Sequence, residues 1–296
     1  MKLAKLIYNP TAGEGVDTTQ NIVSLLNKAG YECSSSSTKE DDWGKLDSKG
    51  TELIVIAGGD GTVRKVVFEL LNKRLPIGLI PMGTANNIAR TLDLPDDPQK
   101  IIKEWNLNKI KRFDVGRIYN LKDQKFFIEG LGFGVFPRLM KEMRKESKKD
   151  HSPDKKLRTA LEILHDIVLN YEARKCSIQI DDAEHSGNYL MAEVMNTRSI
   201  GPNLNLVPFA DPGDGEFEIV LISESQREQF ANYILNKIMG KEEPAFFNIL
   251  KGKNIKINWQ GVHLHVDDEY IKFDKETEIK IELQEDAVHF LSHETA

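Results

Sequence analysis

The sequence has few of the features that mark secreted, membrane-spanning or nucleic-acid-binding proteins. Only two cysteines occur in 296 residues, Cys33 and Cys176, and they are too far apart to form a metal or redox motif. No apolar run approaches the roughly 20 residues that a membrane helix needs. The strand-like segment Leu3–Tyr8 stands where a signal peptide would lie, so none is expected. A net charge of −6 argues against general binding to nucleic acid. These absences predict a cytoplasmic protein.

The length and the change of pattern along the chain predict two domains. At about 150 residues per domain, a chain of 296 residues is long enough for two hydrophobic cores. A content of 40% hydrophobic and 29% charged residues is typical of a globular protein. After Lys111 the alternation of strands and helices gives way to a succession of strands. We therefore predict one domain over residues 1–111 and a second over 112–296. The last residues are candidates to return to the first domain.

The most informative segment is Leu53–Arg64, in which a strand, a glycine turn and a helix follow one another. Its apolar run Leu53–Ile56 favours a strand covered on both faces. The glycines of Gly58–Thr62 let a ligand approach the backbone, and N–H groups at a helix start attract anions. An acidic residue in such a loop, Asp60, could help to hold Mg²⁺, orient a water molecule, or form a hydrogen bond to a nucleotide. The segment lacks the Gly-Lys-Ser/Thr of a Walker loop and the third glycine of a dinucleotide fingerprint.

Further strand–turn–helix units surround this segment. Repeated βα alternation predicts a parallel sheet with helices on both faces. Ligands of such sheets bind beyond the carboxyl ends of the strands, so the polar turns at Asn9, Gly58 and Gly83 should lie on one edge. The other predicted strands of this half are Ala4–Tyr8, Tyr31–Ser37 and Pro76–Ile80.

The second half alternates polar and apolar residues over many short segments, which predicts a mostly antiparallel sandwich or barrel. Two helical inserts, Pro137–Tyr171 and Gln226–Ile238, interrupt it. The predicted strands are Phe113–Ile118, Phe126–Glu129, Cys176–Ile180, Tyr189–Met195, Phe217–Ile222, Asn254–Asn258, Val262–Val266 and Glu278–Leu283.

Seven motifs, in this order, resemble those of the diacylglycerol kinase catalytic family, in particular the soluble bacterial lipid kinases. GGDGT alone is shared with NAD kinases, whereas its combination with GTANN and the later acidic motifs is more specific. The motifs are NPTAG (Asn9–Gly13), GGDGTV (Gly58–Val63), PMGTANNIAR (Pro81–Arg90), FDVGRI (Phe113–Ile118), FFIEGLGFG (Phe126–Gly134), DPGDGEFEIV (Asp211–Val220) and VDDE (Val266–Glu269).

The resemblance implies an ATP-dependent transfer of phosphate to the hydroxyl of diacylglycerol or a related lipid, in a cleft between two domains. It implies a Rossmann-like, three-layer α/β domain with a parallel sheet, followed by an antiparallel β-sandwich domain. The residues it places at the nucleotide are Asn9, Pro10, Thr11, Ala12, Gly13, Thr38, Gly58, Gly59, Asp60, Gly61, Thr62, Val63, Arg64, Gly83 and Thr84.

The resemblance also implies a Mg²⁺ site on the sandwich, away from the phosphates. It would match Asp211, Asp214 and Glu216, with Asp214 providing its carboxylate and the other two their backbone carbonyls. Mg²⁺ prefers oxygen ligands and retains several waters, which suits this set. The alternative is a polar hairpin turn, which Asp-Pro-Gly-Asp-Gly forms without metal.

The catalytic residues implied are Asp60, near the phosphates, and the C-terminal acids Asp267 and Glu269, one of which would take the proton of the acceptor hydroxyl. On a strand, residues two apart share a face, so both acids are expected on one side. Two letters depart from the family pattern. Ala85 and Asp268 each stand where the family commonly has glycine, and Asp is among the residues that tolerate left-handed backbone angles.

Two further features have alternative interpretations. His263 and His265 share a face and could form a two-histidine metal site, but ordinary strand positions are favoured. The stretch Arg138–Arg158 has nine basic and four acidic residues. It suits a solvated helix face or a surface that docks on anionic lipid at the inner face of the membrane.

Three functions are therefore compared: a lipid kinase, a kinase of the NAD-kinase type with a soluble substrate, and a non-catalytic nucleotide- or lipid-binding protein. GTANN and the VDDE segment weigh against the second. The altered VDDE segment, which replaces the family's DGE, is the basis of the third. A monomer and a homodimer both remain compatible with the sequence.

Overall fold

The computed structural model describes residues 2–11, 16–40, 43, 50–71, 73–146, 152–241 and 247–292. It divides into two compact units, which we call unit 1 (Met1–Asp114 with Glu285–Ala296) and unit 2 (Val115–Gln284). The fold class predicted from the sequence is confirmed, with an α/β unit followed by an antiparallel β-sandwich. No helix in the described part of the chain is long and apolar enough to cross a membrane.

Unit 1 is built on a parallel sheet in the order β4-β3-β1-β2. Strand β3 is buried along its whole length, because its run of apolar residues is covered on both faces. The elements are β1 (Lys2–Tyr8), α1 (Val16–Lys28), β2 (Tyr31–Ser37), β3 (Leu53–Gly58), α2 (Asp60–Leu70), β4 (Pro76–Pro81), α3 (Asn87–Thr91) and α4 (Pro98–Glu104).

Unit 2 is mainly antiparallel, and the chain enters it within strand β5. Its first elements are β5 (Ile110–Tyr119), β6 (Phe126–Phe127), β7 (Gly130–Gly134), α5 (Val135–Glu146), α6 (Pro153–Asn170), β8 (Arg174–Ile180), β9 (Ala183–Met195), β10 (Ser199–Ile200) and β11 (Leu204–Asn205). The remainder are β12 (Phe217–Ser223), a 3₁₀ turn (Glu224–Gln226), α7 (Arg227–Ile238), β13 (Ile249–Gly252), β14 (Asn254–Trp259), β15 (His263–Val266), β16 (Glu269–Lys272) and β17 (Ile279–Leu291).

Strand β17 belongs to both units. Its first residues pair antiparallel with β14, at Ile279–Glu282. Its last residues pair in parallel with β4 in unit 1, at His289 and Phe290. The end of the described chain therefore lies in unit 1.

Two hydrophobic clusters stabilise unit 2. One joins helices α5, α6 and α7 to the sheet. In α6 its buried residues share one face of the helix and are Ala160, Leu161, Leu164 and Val168. The other lies among the strands and includes the stacked rings of Phe133 and Trp259, whose centroids are 5.7 Å apart. The strands of the sandwich are thus fixed from both faces.

Several elements differ from the prediction for identifiable reasons. The insert predicted over Pro137–Tyr171 is two helices, α5 and α6. Helix α4 was missed, although Asp97 caps it and Pro98 occupies its first turn, a combination typical of helix starts. Strand β7, GLGFG, lies beyond the predicted strand Phe126–Glu129 and was missed, since glycine weakens a strand pattern. Strands β13 and β16 were also missed, since each has only four residues.

Candidate functional site

Four of the predicted nucleotide-binding segments follow the carboxyl ends of neighbouring parallel strands. Asn9 follows β1, Thr38 follows β2, Gly59 follows β3, and Gly83 lies two residues after β4. The backbone N–H of Thr38 donates to the carbonyl of Tyr8 at 2.9 Å, which holds the ends of β1 and β2 together. In open α/β sheets this edge is the one that binds ligands.

The glycine turns after β3 and β4 touch each other through their backbones. A Cβ atom added to Gly59 would lie 2.9 Å from the Cα of Gly83, and one added to Gly83 would lie 2.5 Å from the Cα of Gly59. Real Cβ atoms do not come this close to a backbone atom, so both positions require glycine. This contact explains why the two motifs each need a glycine at this point.

Asp60 links the same two turns. Its Oδ2 accepts a hydrogen bond from the N–H of Asn87 at 3.0 Å, and its Oδ1 accepts one from the N–H of Ile88 at 3.1 Å. These N–H groups begin helix α3 and have no partner within the helix, so the carboxylate serves as its cap. The sequence did not predict this structural role. A direct role of Asp60 at a nucleotide or metal stays a prediction.

Asn86 closes the second turn on itself. Its side-chain oxygen accepts from the N–H of Gly83 at 2.8 Å, and its side-chain nitrogen donates to the carbonyl of Gly83 at 3.0 Å. Its φ of 52° lies in the left-handed region that asparagine tolerates. Thr84, between them, is exposed. The turn therefore holds its shape through its own bonds and presents Thr84 to solvent.

The remaining nucleotide residues predicted from the sequence fall into four groups. The oxygen of the Asn9 side chain accepts from the backbone N–H and hydroxyl of Thr11, at 3.1 and 2.8 Å, which shapes the turn at Pro10. Thr62 and Val63 have buried side chains, and their backbone N–H groups donate to the carbonyl of Gly59 at 2.9 and 3.1 Å. Gly58, Gly61 and Arg64 are in or beside the first turn of α2, whereas Ala12 and Gly13 lie outside the described residues.

In unit 2, Asp267 lies in a turn and not on a strand. Its φ is 49°, and it joins β15 to β16. Its carboxylate accepts hydrogen bonds from the backbone N–H groups of Ile128, Glu129 and Gly130, the shortest being 2.8 Å to Glu129. The expectation that Asp267 and Glu269 share one face of a strand is therefore wrong. Asp267 is fixed to the backbone before β7.

Asp268 and Glu269 complete this turn. The left-handed residue is Asp267, so Asp268 replaces the family's glycine without requiring a left-handed conformation. The side chain of Asp268 is exposed, and that of Glu269 is half-buried. The Gln124 side-chain nitrogen donates to Oε2 of Glu269. The two candidate bases thus have different partners: backbone N–H groups for Asp267 and a neutral amide for Glu269.

Directly beneath this turn lies a buried pair, Glu193 and His265, that sequence reasoning missed. Both side chains are at most 2% exposed. Nδ1 of His265 lies 3.0 Å from the carbonyl oxygen of Asp267, so Nδ1 carries a hydrogen. Nε2 lies 2.9 Å from Oε1 and 3.0 Å from Oε2 of Glu193. The signal that was available is a lone glutamate in an otherwise apolar strand, Tyr189–Met195.

The pair shares one proton between Nε2 and the carboxyl group and so carries no net charge. Burial raises the pKa of Glu193 above its ordinary value, and the neighbouring His265 offsets this only in part. Burial alone would lower the pKa of His265, but the Glu193 carboxylate and the hydrogen bonds raise it further, so the net direction is upward. The ordinary strand positions favoured for His263 and His265 agree with these contacts, because His265 bonds to Glu193 while Nδ1 of His263 contacts the Tyr270 hydroxyl at 2.7 Å.

Gly132 leaves the space that the Glu193 carboxyl group fills. A Cβ atom at position 132 would lie 1.8 Å from Oε2 of Glu193 and 2.8 Å from the carbonyl oxygen of Ala192. We expect Gly132→Ala to force Glu193 away from His265 and to lower the free energy of unfolding by about 1–3 kcal/mol, as overpacking does. Urea unfolding measures this. Gly187→Ala in the same strand as Glu193 is the matched control, since the atoms nearest to its methyl belong to the Tyr189 side chain, at 3.0–3.1 Å. Equal losses in both variants would contradict the role of Gly132.

The segment predicted to bind Mg²⁺ forms a hydrogen-bonded turn. Oδ1 of Asp211 accepts from the N–H of Gly213 at 2.9 Å, and Oδ1 of Asp214 accepts from the N–H of Glu216 at 3.0 Å. Oδ2 of Asp214 lies 2.8 Å from Nζ of Lys251. No group of three His, Cys, Asp or Glu side chains that could hold a metal occurs among the described residues. Because both oxygens of the proposed ligand already have protein partners, this turn does not fit a Mg²⁺ ion.

Comparisons with known proteins agree with this geometry. The family model "Diacylglycerol kinase catalytic domain" matches residues 4–118, and the model "YegS C-terminal NAD kinase beta sandwich-like domain" matches residues 142–281. The diacylglycerol kinase of Staphylococcus carnosus is 27% identical over 281 residues, which cover 91% of this chain and 89% of that protein. That of Bacillus subtilis is 26% identical over 294 residues, covering 91% and 90%.

A solved structure supports the fold. The crystal structure of a diacylglycerol kinase from Bacillus anthracis matches with a TM-score of 0.73 at 24% identity, covering 99% of this chain and 97% of that one. Residues 4–118 therefore form a domain of the diacylglycerol kinase catalytic-domain family, and the chain is similar to lipid kinases named diacylglycerol kinase over 91% of its length. The resemblance read from the sequence motifs is confirmed.

Proposed function

We propose that this protein transfers the γ-phosphate of ATP to the hydroxyl group of a lipid, diacylglycerol or a close relative. The observation that carries the proposal is the alignment of four polar loops at the carboxyl ends of β1, β2, β3 and β4. The curated relatives named diacylglycerol kinase support the choice of a lipid as acceptor.

Unit 1 would bind the nucleotide. Phosphoryl transfer depends mainly on positioning the phosphates and stabilising their charge. Backbone N–H groups of the turns that follow β3 and β4 would face the phosphates, because the contact between Gly59 and Gly83 holds the two turns side by side. Asp60 would act by fixing the second turn against the first. Mg²⁺ carried on the ATP phosphates would neutralise part of their charge.

Unit 2 would supply the group that accepts the proton of the lipid hydroxyl. The candidates are Asp267 and Glu269. A general base must hold a lone pair in a fixed direction toward the hydroxyl. The backbone N–H groups of residues 128–130 fix the first carboxylate, and Gln124 restrains the second. The Glu193–His265 pair would hold the carbonyl of Asp267 and thereby the turn.

The lipid must be reached at a membrane surface, and unit 2 has basic residues suited to this. Lys155 and Lys156 are exposed in the first turn of α6, whereas Lys148 and Lys149 lie outside the described residues. Each basic residue near an anionic membrane contributes about 1 kcal/mol. A cavity of about 420 Å³ in the same unit is lined by Arg138, Lys141 and Arg174 together with aromatic side chains. This combination would suit a lipid headgroup.

The test is the transfer of radiolabel from γ-labelled ATP. We expect label in an organic-extractable product when diacylglycerol or a related lipid is supplied in mixed micelles, and none with NAD. An Asp60→Ala protein purified in the same way controls for contaminating kinases. Label in a water-soluble product with NAD would favour the NAD-kinase type instead. Tight ATP binding with no transfer to any lipid of the panel would favour a non-catalytic protein; both outcomes overturn the proposal.

A further inference from the structure

The cation at the Asp211–Glu216 turn is a lysine side chain. Lys251 on β13 stands directly opposite Glu218 on β12 in the antiparallel register. Its Nζ lies 2.8 Å from Oδ2 of Asp214 and 3.2 Å from Oε1 of Glu218. Oε2 of Glu216 is 4.0 Å away. One ammonium group therefore faces three carboxyl groups, all from the turn and the strand that follows it.

The arrangement follows from the sequence. Asp214, Glu216 and Glu218 are spaced two apart, so where the chain is extended their side chains point to one side. Glu218 is 3% exposed, and a carboxyl group so deeply buried requires a partner. The neighbouring strand supplies one through its only basic residue before Gly252. The positive charge of Lys251 thus compensates both the buried carboxyl group of Glu218 and the acidic side chains of the turn.

The turn itself leaves its carboxylate little freedom to change partners. The N–H of Asp214 donates to the carbonyl oxygen of Asp211 at 3.1 Å, and Oδ1 of Asp214 accepts from the N–H of Glu216 at 3.0 Å. The carbonyl of Asp211 and the carboxylate of Asp214 are two of the three groups that the family resemblance assigned to Mg²⁺. Both are hydrogen-bonded within the protein.

We propose that the Lys251 ammonium group takes the place of the Mg²⁺ ion, so that unit 2 of this chain folds without a divalent cation on this turn. An ammonium group carries three donors on a flexible stem, which suits several carboxylate oxygens at different distances. A Mg²⁺ ion at Asp214 would lie beside this positive charge and be repelled by it. Because the lysine is part of the chain, the negative charge of the turn would be compensated at any Mg²⁺ concentration. The proposal goes beyond the kinase reaction and does not depend on it.

The test compares Lys251→Met with the wild-type protein, both freed of nucleotide and treated with EDTA. Methionine keeps an unbranched stem of similar length and removes the charge. We expect the wild-type melting temperature to be the same in EDTA and in millimolar Mg²⁺. The variant should melt at a lower temperature in EDTA and recover when Mg²⁺ is added, since its three acids then lack their cation. Lys256→Met is the matched control, because Nζ of Lys256 donates to the Gln179 amide and not to a carboxylate.

Direct ion binding gives a second readout. Electron paramagnetic resonance of added Mn²⁺ should show no ion bound to nucleotide-free wild-type protein, and one ion per chain in Lys251→Met. The proposal is overturned if the wild-type protein binds one Mn²⁺ that Asp214→Asn removes, or if Mg²⁺ raises its melting temperature. Should Lys251→Met fail to fold, the wild-type measurements with Mn²⁺ and EDTA decide alone.

Discussion

Replacing Asp60 with alanine is expected to reduce the phosphoryl-transfer rate by about 10²-fold or more and to destabilise unit 1. The substitution leaves the N–H groups of Asn87 and Ile88 without their acceptor, and both residues are buried. An unsatisfied buried donor costs about 1–3 kcal/mol. Without this link, helix α3 and the Gly83 turn would shift, and a misplacement of about 1 Å can cost 10²-fold in rate.

The measurement is the initial rate at saturating ATP and lipid, together with a melting curve for each variant. Asp60→Asn keeps one acceptor oxygen, so its initial rate and its melting temperature should both lie between those of Asp60→Ala and the wild type. Glu69→Ala removes an exposed acid from the same helix and serves as the control for lost charge. Turnover and melting temperature near those of the wild type in Asp60→Ala would show that the link between the two turns is dispensable.

The sequence predicted the turns of unit 1 but not their connection. Glycine-rich segments after apolar strands indicate loops at one edge of a sheet, and the structure has them there. The partners of Asp60 are 27 and 28 residues further along the chain. Local patterns carry no information on a contact at that distance, so the carboxylate was assigned to a ligand. A close backbone approach such as that of Gly59 and Gly83 likewise becomes visible only in three dimensions.

In unit 2 the error at Asp267 has a similar cause. The acids that follow the predicted strand Val262–Val266 were treated as a strand-like segment with both side chains on one face, yet the chain reverses at Asp267 and Asp268. What fixes the reversal is a set of N–H groups more than a hundred residues earlier in the chain. Lys251 likewise has its partners far along the chain, in the turn before β12 and on β12 itself. Side chains whose role depends on pairing between distant strands are the part of the candidate site that sequence alone could not supply.

Asp267→Asn and Glu269→Gln are expected to separate the two candidate bases, and the one that accepts the proton should lower kcat by about 10²–10⁴-fold. Both changes keep the shape of the side chain. In Asp267→Asn the remaining oxygen can still accept from the N–H groups of Glu129 and Gly130, so the turn should persist. In Glu269→Gln the bond to Gln124 can be kept by an amide oxygen. ATP affinity should change little in either variant, since the lost interaction belongs to the transfer step.

The structural contribution of each residue must be measured beside the rate. A lower melting temperature in Asp267→Asn with an unchanged kcat would make that carboxylate an anchor of the turn and leave Glu269 as the base. A lower melting temperature in Glu269→Gln with an unchanged kcat would instead leave Asp267 as the base that accepts the proton. Asp268→Gly restores the family letter at an exposed position that needs no left-handed conformation, so its rate should equal or exceed that of the wild type. If both amide variants turn over within a few-fold of the wild type, the turn between β15 and β16 does not carry the base, and the acceptor proton must leave by another group.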